Sequence, residues 1–257
     1  MTLEEIKAKY PYLYETHMHT SEGSACASSN GQDMAIAYKN QGYAGIIISD
    51  HNWYGNTAVD RNLPWEEWVD KFFAGYRNAK KTGDEIDLQV FPAWEAGYSG
   101  PEFLIYGISP EELKKHPELK DATVPEQYDI VHSLGGMVIQ AHPFRSAWYI
   151  EVARTYPEYV DGFEIINASH SNPHNGSRDK VYCDELAIKM AKERNLPGTA
   201  GSDQHSVHAF GGGVAFPTKL TSIQDYINRI LNREDYVLTN GRQWFTKEGD
   251  LLVTCAE

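Results

Sequence analysis

The sequence is short of cysteine, has no long apolar run and carries little positive charge. Cysteine occurs only at Cys26, Cys183 and Cys255. An odd, dispersed set does not make a disulfide framework, and it suits a reducing compartment. No stretch approaches the ~18 uninterrupted apolar residues of a membrane span. The opening residues, MTLEEIKAKYPYLYE, are charged and hold no apolar signal core. The expected location is therefore the cytoplasm, with no membrane partner. Lys and Arg total 23 against 36 Asp and Glu, a formal net charge of −13. That argues against a broad nucleic-acid-binding surface, which needs clustered cations along its phosphate contacts. A small phosphorylated molecule, or a short oligonucleotide, stays admissible, because bound cations can invert a local field. Repeats, low-complexity segments and linker-like runs are also missing, and nothing legible reports the oligomeric state.

What is present is alternation. Apolar runs such as AGIIISDH, LQVFPAWEAG, EFLIYGI, MVIQAHP and GFEIINASH read as strands. Between most of them lie amphipathic stretches bounded by Pro and Gly: GQDMAIAYKNQG, PWEEWVDKFFAGYRNAKKTG, VPEQYDIVHSLGG and GSRDKVYCDELAIKMAKERN read as helices, with another expected around residues 147–156. Strands alternating with helices predict parallel βα units. With 257 residues, 41% of them hydrophobic, the expectation is one α/β domain over residues 1–257, a closed or nearly closed parallel barrel. The segment from about 217 to 257 is expected to add strands or pack on that barrel.

In such a barrel chemistry sits where strands end, and the ten histidines can be tested against that rule. His17 and His19 end the first strand, in YETHMHTSE. Asp50 and His51 end the second, Glu95 the third, His142 ends MVIQAHP, Asn167 ends GFEIIN, and Asp203 with His205 ends TAGSDQH. His116 and His132 fall in helices, and His170, His174 and His208 in loops just past strand ends. His-x-His on a strand places both rings on one face, because side chains alternate. Each pair alone is ambiguous, since strand-end histidines commonly serve packing or surface hydrogen bonds. Together they predict a metal cluster. Imidazole and carboxylate without thiolate suit Zn, Mn or Fe, and the number of donors suits two or three divalent ions. Centres of that kind clamp a phosphoryl group and acidify a bound water. Cys26 is expected to be an inert thiol.

Four segments, ETHMHTSE, GYAGIIISDHN, QAHPFR and GSDQH, resemble in order the motifs of the PHP (polymerase and histidinol phosphatase) superfamily. The resemblance runs from about Tyr14 to His205. It implies a distorted (β/α)7 barrel and a stand-alone hydrolase of phosphoric esters, using water activated at a di- or trinuclear metal centre. Carried over by position, it implies that His17, His19 and Asp203 hold a first ion, that Glu95 bridges to a second held by His142, and that His51 and His205 hold a third. Glu22 stands where the third ion usually gains a further ligand. Relatives commonly supply the second ion with a histidine after the bridging Glu. No His lies between His51 and His116 here, which leaves Glu102 or water.

For the chemistry around the ions, His205 or His208 is expected to protonate the leaving alkoxide, and Asp50 to accept the N–H of the His51 ring. An N-cap or turn residue is the plainer reading of Asp50. Arg145 offers a bidentate fork to phosphate, against a plain surface ion pair. Asn167, His170, His174 and Arg178 are candidates for the substrate mouth, although an ordinary solvated loop fits each alone. Trp53, Tyr54 and Trp94 could stack on a base or ring, against simple packing. The expected function is hydrolysis of a small phosphorylated substrate, a phosphomonoester or nucleotide. The alternatives are a 5′–3′ exonuclease or nucleotide bisphosphate phosphatase, a histidinol phosphatase, or a catalytically silent metal-binding module. The short interval between Glu95 and AHP counts against the exonuclease.

Overall fold

Tyr12–Met18 (β1) sits in the middle of the sheet, and its neighbours explain where the site forms. The computed structural model describes residues 1–147, 150, 152–172, 180–208 and 211–255. Among them, one sheet takes the other strands in as β2 (Gly45–Ile48), β3 (Gln89–Gly97), β4 (Glu102–Tyr106), β5 (Met137–Ala141), β6 (Gly162–Asn167), β7 (Gly198–Gly201), β8 (Gly213–Phe216), β9 (Val237–Thr239), β10 (Gln243–Thr246) and β11 (Leu251–Thr254). The strand order is β11-β10-β9-β8-β1-β2-β3-β4-β5-β6-β7. The pairings β1–β2–β3 and β5–β6–β7 are parallel. The continuously apolar strand β2, GIII, is buried throughout, as a strand covered on both faces should be.

Two features differ from the expected seven-unit parallel barrel. First, the fold is a mixed α/β arrangement around a curled eleven-stranded sheet. Its β8–β11 arm is antiparallel throughout and extends from β1. The helix Ile223–Leu231 and strands β9–β11 thus bring the last part of the chain into the same sheet. Second, β4 pairs antiparallel with both β3 and β5. A tight connection makes this reversal: Tyr98 N–H donates to Pro101 O at 2.8 Å, and Ser99 and Gly100 both take positive φ. No helix intervenes, so β4 starts at the rim where β3 and β5 end.

The curl brings the exit of β7 back to β1. No ladder joins the two strands. The seam instead carries Asp203 N–H to His17 O at 2.8 Å and His19 N–H to Gln204 O at 2.9 Å, with Thr16 Oγ1 donating to Ala200 O at 2.7 Å.

Helices diverge from the expectation in detail. The stretch after Pro64 is two helices, Trp65–Phe72 and Ala74–Ile86, broken at Phe73. Among the described residues of 147–156 none is helical. Helices Gly31–Asn40 and Ala74–Ile86 approach closely through Gly31 and Gly75. A Cβ on Gly31 would meet the Gly75 carbonyl, and one on Gly75 would meet Thr20. This contact sets Thr20, just past β1, against the helix layer. No helix among the described residues is long and apolar enough to cross a membrane.

Candidate metal centre

Alternation along β1 turns His17 and His19 to one face, and the seam brings Asp203 to them from β7. His17 Nε2 lies 3.3 Å from His19 Nε2, 3.2 Å from Glu95 Oε1 and 3.5 Å from Asp203 Oδ1. His19 Nε2 lies 3.1 Å from Asp203 Oδ1 and 3.6 Å from Glu95 Oε2. Donors held about 2.0–2.2 Å from one tetrahedral ion stand about 3.3–3.6 Å apart, so these four residues have the spacing of a coordination shell. Glu95 also touches His142 Nε2, at 3.0 Å through Oε1, and approaches His51 Nδ1 to 2.8 Å through Oε2. It therefore stands at the centre of the group. Ligand atoms of His19, His51 and His205 form a further set within 4.8 Å of one another.

The rings are also presented in the right tautomer. Glu164, a carboxylate, accepts from His17 Nδ1 at 2.9 Å, and the Asp203 carbonyl accepts from His205 Nδ1 at 2.9 Å. Ser24 donates its hydroxyl to Asp50 at 2.7 Å, which leaves its oxygen to accept from His19 Nδ1 at 3.1 Å. In all three rings the proton is drawn away from Nε2, which in His17 and His19 is the atom turned to the cluster. Two of the clustered residues take positive φ although neither is glycine, His142 at 26° and Asp203 at 55°. Conformations of that kind persist only where the surroundings enforce them.

Electrostatically the cluster is a nest of buried acids and imidazoles. Burial works to keep His17 neutral, but Glu164 and Glu95 outweigh it and lift its pKa to about 10. Burial likewise opposes charge on His51, and Glu95 prevails, again to about 10. Glu95 itself resists burial and is held well below the usual carboxylate range by His17 and His51. His19 is driven well below the usual imidazole value by burial and by the neighbouring His51 and His205. His51 Nδ1 and Glu95 Oε2, close but misaligned, are buried without a hydrogen bond, as is Glu102 Oε2. Buried polar atoms left in this way are costly, and a divalent cation would satisfy them. The donor set is compatible with bound metal ions.

Arg145 reaches the cluster from the loop after β5. Its Nη2 pairs with Asp203, and its Nε donates to His170 Nε2 at 3.4 Å. His170 is buried, and its other ring nitrogen faces Asp184 at 3.4 Å. Burial, reinforced by the charge of Arg145, pushes the His170 pKa down to about 2, so it meets the guanidinium as a neutral acceptor. Beside these groups opens a cavity of about 490 Å³, lined by Cys26, His51, Tyr54, Glu102, Arg145 and His205. A larger one, about 700 Å³, lies against Tyr10, Tyr43 and Trp244 and holds none of the clustered ligands. Chemistry, not size, selects the first.

Several expected site residues lie elsewhere. Glu22 is not in the cluster: its carboxylate accepts from Gly31 N–H at 3.1 Å and from Asn78 Nδ2 at 2.9 Å, at the start of a helix. Asp50 binds Thr20 N–H, Thr20 Oγ1 and Ser24 Oγ, so it acts on His19 through Ser24 rather than on the His51 ring. Burial raises its pKa to about 6. His208 is exposed and belongs to none of the ligand-atom sets among the described residues. Asn167 is spent within the protein, donating to Glu164 Oε2 at 2.9 Å and accepting from Ser169. His174 and Arg178 fall outside the described residues. Trp53 packs edge-on against Trp65 and Trp68, and Trp94 is fully buried in the core. Tyr54 alone of the three aromatic candidates borders the cavity.

Other residues matter that the sequence reading passed over. Glu164, mid-strand in β6, holds His17 and the His142 N–H. Glu15, inside β1, accepts from the backbone N–H groups of Thr16, His17 and Ser202. A single carboxylate inside an otherwise apolar strand was the available signal, since such groups are rarely buried unpaired. Cys26 is exposed and borders the cavity. Burial of its sulfur opposes ionisation, yet hydrogen bonds to His205 and His51 pull the thiol down to about 6.

Comparison with known proteins bears on the same residues. Residues 184–234, which include Asp203 and His205, match the model of a PHP-associated family. No curated protein matches the sequence. Among solved structures, a two-domain protein of Bacteroides vulgatus, described as containing a PHP-like metal-dependent phosphoesterase, superposes with a TM-score of 0.67 at 13% identity. The alignment covers 91% of this chain and 66% of that one, so this chain spans just under two thirds of its length. A protein of Bifidobacterium adolescentis described as a metal-dependent phosphoesterase gives 0.51 at 14% identity, covering 86% and 96%. At such identities the likeness is one of fold.

Proposed function

We propose that this protein is a metal-dependent phosphoesterase that hydrolyses a small phosphorylated substrate, a phosphomonoester or a nucleotide. One observation carries the reading. Four buried donors, His17, His19, Glu95 and Asp203, stand at coordination spacing, with their tautomers preset and a guanidinium beside them. His142 with Glu95 would hold a second ion, and His51 with His205 a third; Zn, Mn and Fe all suit this set. Bound divalent cations would acidify a water and neutralise phosphoryl oxygens.

The chain's own residues do the rest. Arg145 offers its fork to the phosphoryl oxygens from the cavity wall. His170 and Asp184 fix the direction of that fork. His205, its Nδ1–H tied to the Asp203 carbonyl, turns Nε2 toward the site. When not engaged as a ligand, it takes up at Nε2 the proton that the attacking water releases and passes it to the departing alkoxide as the P–O ester bond breaks. The products are an alcohol and a phosphate.

The test is elemental analysis of protein purified without chelator, followed by turnover of p-nitrophenyl phosphate, a phosphomonoester panel and nucleotide diphosphates with Mn²⁺, Zn²⁺ and Fe²⁺. Metal-stimulated release of phosphate is expected. Bound metal with no turnover under any cation would overturn the assignment in favour of a silent metal-binding module.

A further inference from the structure

Glu102 is the first residue of β4, and the antiparallel run of that strand decides where it lies. It pairs in register with Gly97 at the end of β3 and with Ala141 at the end of β5. It thus enters the rim between Glu95 and His142, which the two parallel strands deliver by their final turns. Its Oε2 is 3.6 Å from His142 Nε2, and its ligand atom falls in a set with those of His51 and Glu95, all within 4.8 Å. That oxygen is buried and has no hydrogen bond. The nearest cation, Arg145 Nη1, stands at 3.9 Å, beyond hydrogen-bond reach, while the same guanidinium is engaged by Asp203. His142 Nε2 is already shared with Glu95 Oε1 at 3.0 Å, so Glu102 Oε2 gains no donor there, and a desolvated carboxylate oxygen left so is unfavourable unless something positive sits beside it.

We propose that Glu102 is a direct ligand of the second cation, closing that position together with Glu95 and His142. The inference rests on the metal-centre reading above and deepens it. Two carboxylates and one imidazole make a harder, oxygen-rich position than a histidine pair would, and they favour Mn²⁺ or Fe²⁺ over Zn²⁺ there.

The experiment uses the full chain and its Glu102→Gln variant, stripped and reloaded with Mn²⁺, and reads cation content, titration affinity and electron paramagnetic resonance. Wild type should bind at least two ions with an exchange-coupled spectrum. Glu102→Gln should keep the tight first ion, show the isolated-ion pattern, and bind the second at least roughly 10–100-fold more weakly, the loss that even an outer partner of a ligand causes. Glu102→His restores a donor, so it should recover the second ion with a preference shifted toward Zn²⁺; it also serves if the Gln variant does not fold. Unchanged second-ion affinity and coupling in Glu102→Gln, with only inorganic phosphate binding altered, would make Glu102 a counter-ion of Arg145 and overturn the inference. The same holds if the His variant behaves as wild type toward both metals. A wild-type chain that binds one ion tightly and no second would sink this inference but leave the centre standing. A chain that binds no cation would sink both.

Discussion

His17 can bind a cation through Nε2 only while its other nitrogen keeps the proton, and Glu164 enforces that state from the neighbouring strand. Replacing Glu164 with Gln sets an N–H against one of the three donors it now accepts, from His17, His142 and Asn167. Cation affinity is expected to fall roughly 10–100-fold, measured by calorimetric titration, with the fold retained by circular dichroism. Asp203→Ala removes a ligand outright and frees Arg145 as well. Metal content and phosphatase turnover should vanish together, and retention of both would contradict the ligand assignment. The clustered residues were legible because each follows an apolar run by a residue or two, as His17, His142 and Asp203 do. Glu164 stood out only as a lone acid in an apolar strand, and nothing local marks which distant ring it will face. Glu22 shows the reverse failure. Its spacing from the His-x-His pair suited a ligand, but the nearby helix N-terminus took its charge, an arrangement that favours carboxylates.

At the scale of elements, alternation was read correctly in kind and wrongly in direction. The four residues Tyr98–Pro101 join two apolar runs with Ser-Gly at the tip, a hairpin signal. Counting βα units passed over it, and β4 consequently reverses. Strand-end logic then fails for Glu102, since an antiparallel strand contributes its start to the rim. The helix break at Phe73 escaped for a related reason: it lies within a continuous amphipathic stretch, and only packing interrupts it. The Gly31–Gly75 crossing offers a test at this level. Gly75→Ala forces a methyl group against Thr20, whose hydroxyl and N–H both hold Asp50. Stability should drop by about 1–3 kcal/mol, read by urea denaturation, whereas an alanine at the exposed Gly42, whose Cβ would meet nothing, should cost less despite its φ of 85°.

The whole molecule carries a net charge of −13, and part of that excess is gathered at one buried rim. Cations that bind only the folded chain stabilise it by mass action, by about 2.7 kcal/mol at a free concentration of 100 times the dissociation constant. Thermal melts should therefore rise with added Mn²⁺ and fall with chelator, and both shifts should disappear in Asp203→Ala. The location of the centre adds an ordering in time. His19 and Asp203, whose ligand atoms lie 3.1 Å apart, are separated by 184 positions in the chain. They meet only across the seam where the curled sheet returns to β1. A ribosome makes the two histidines early and the aspartate late, so no nascent intermediate holds the complete ligand set. Tight loading with metal would thus mark finished folding, and a chain cut short before β7 would lack Asp203 and His205.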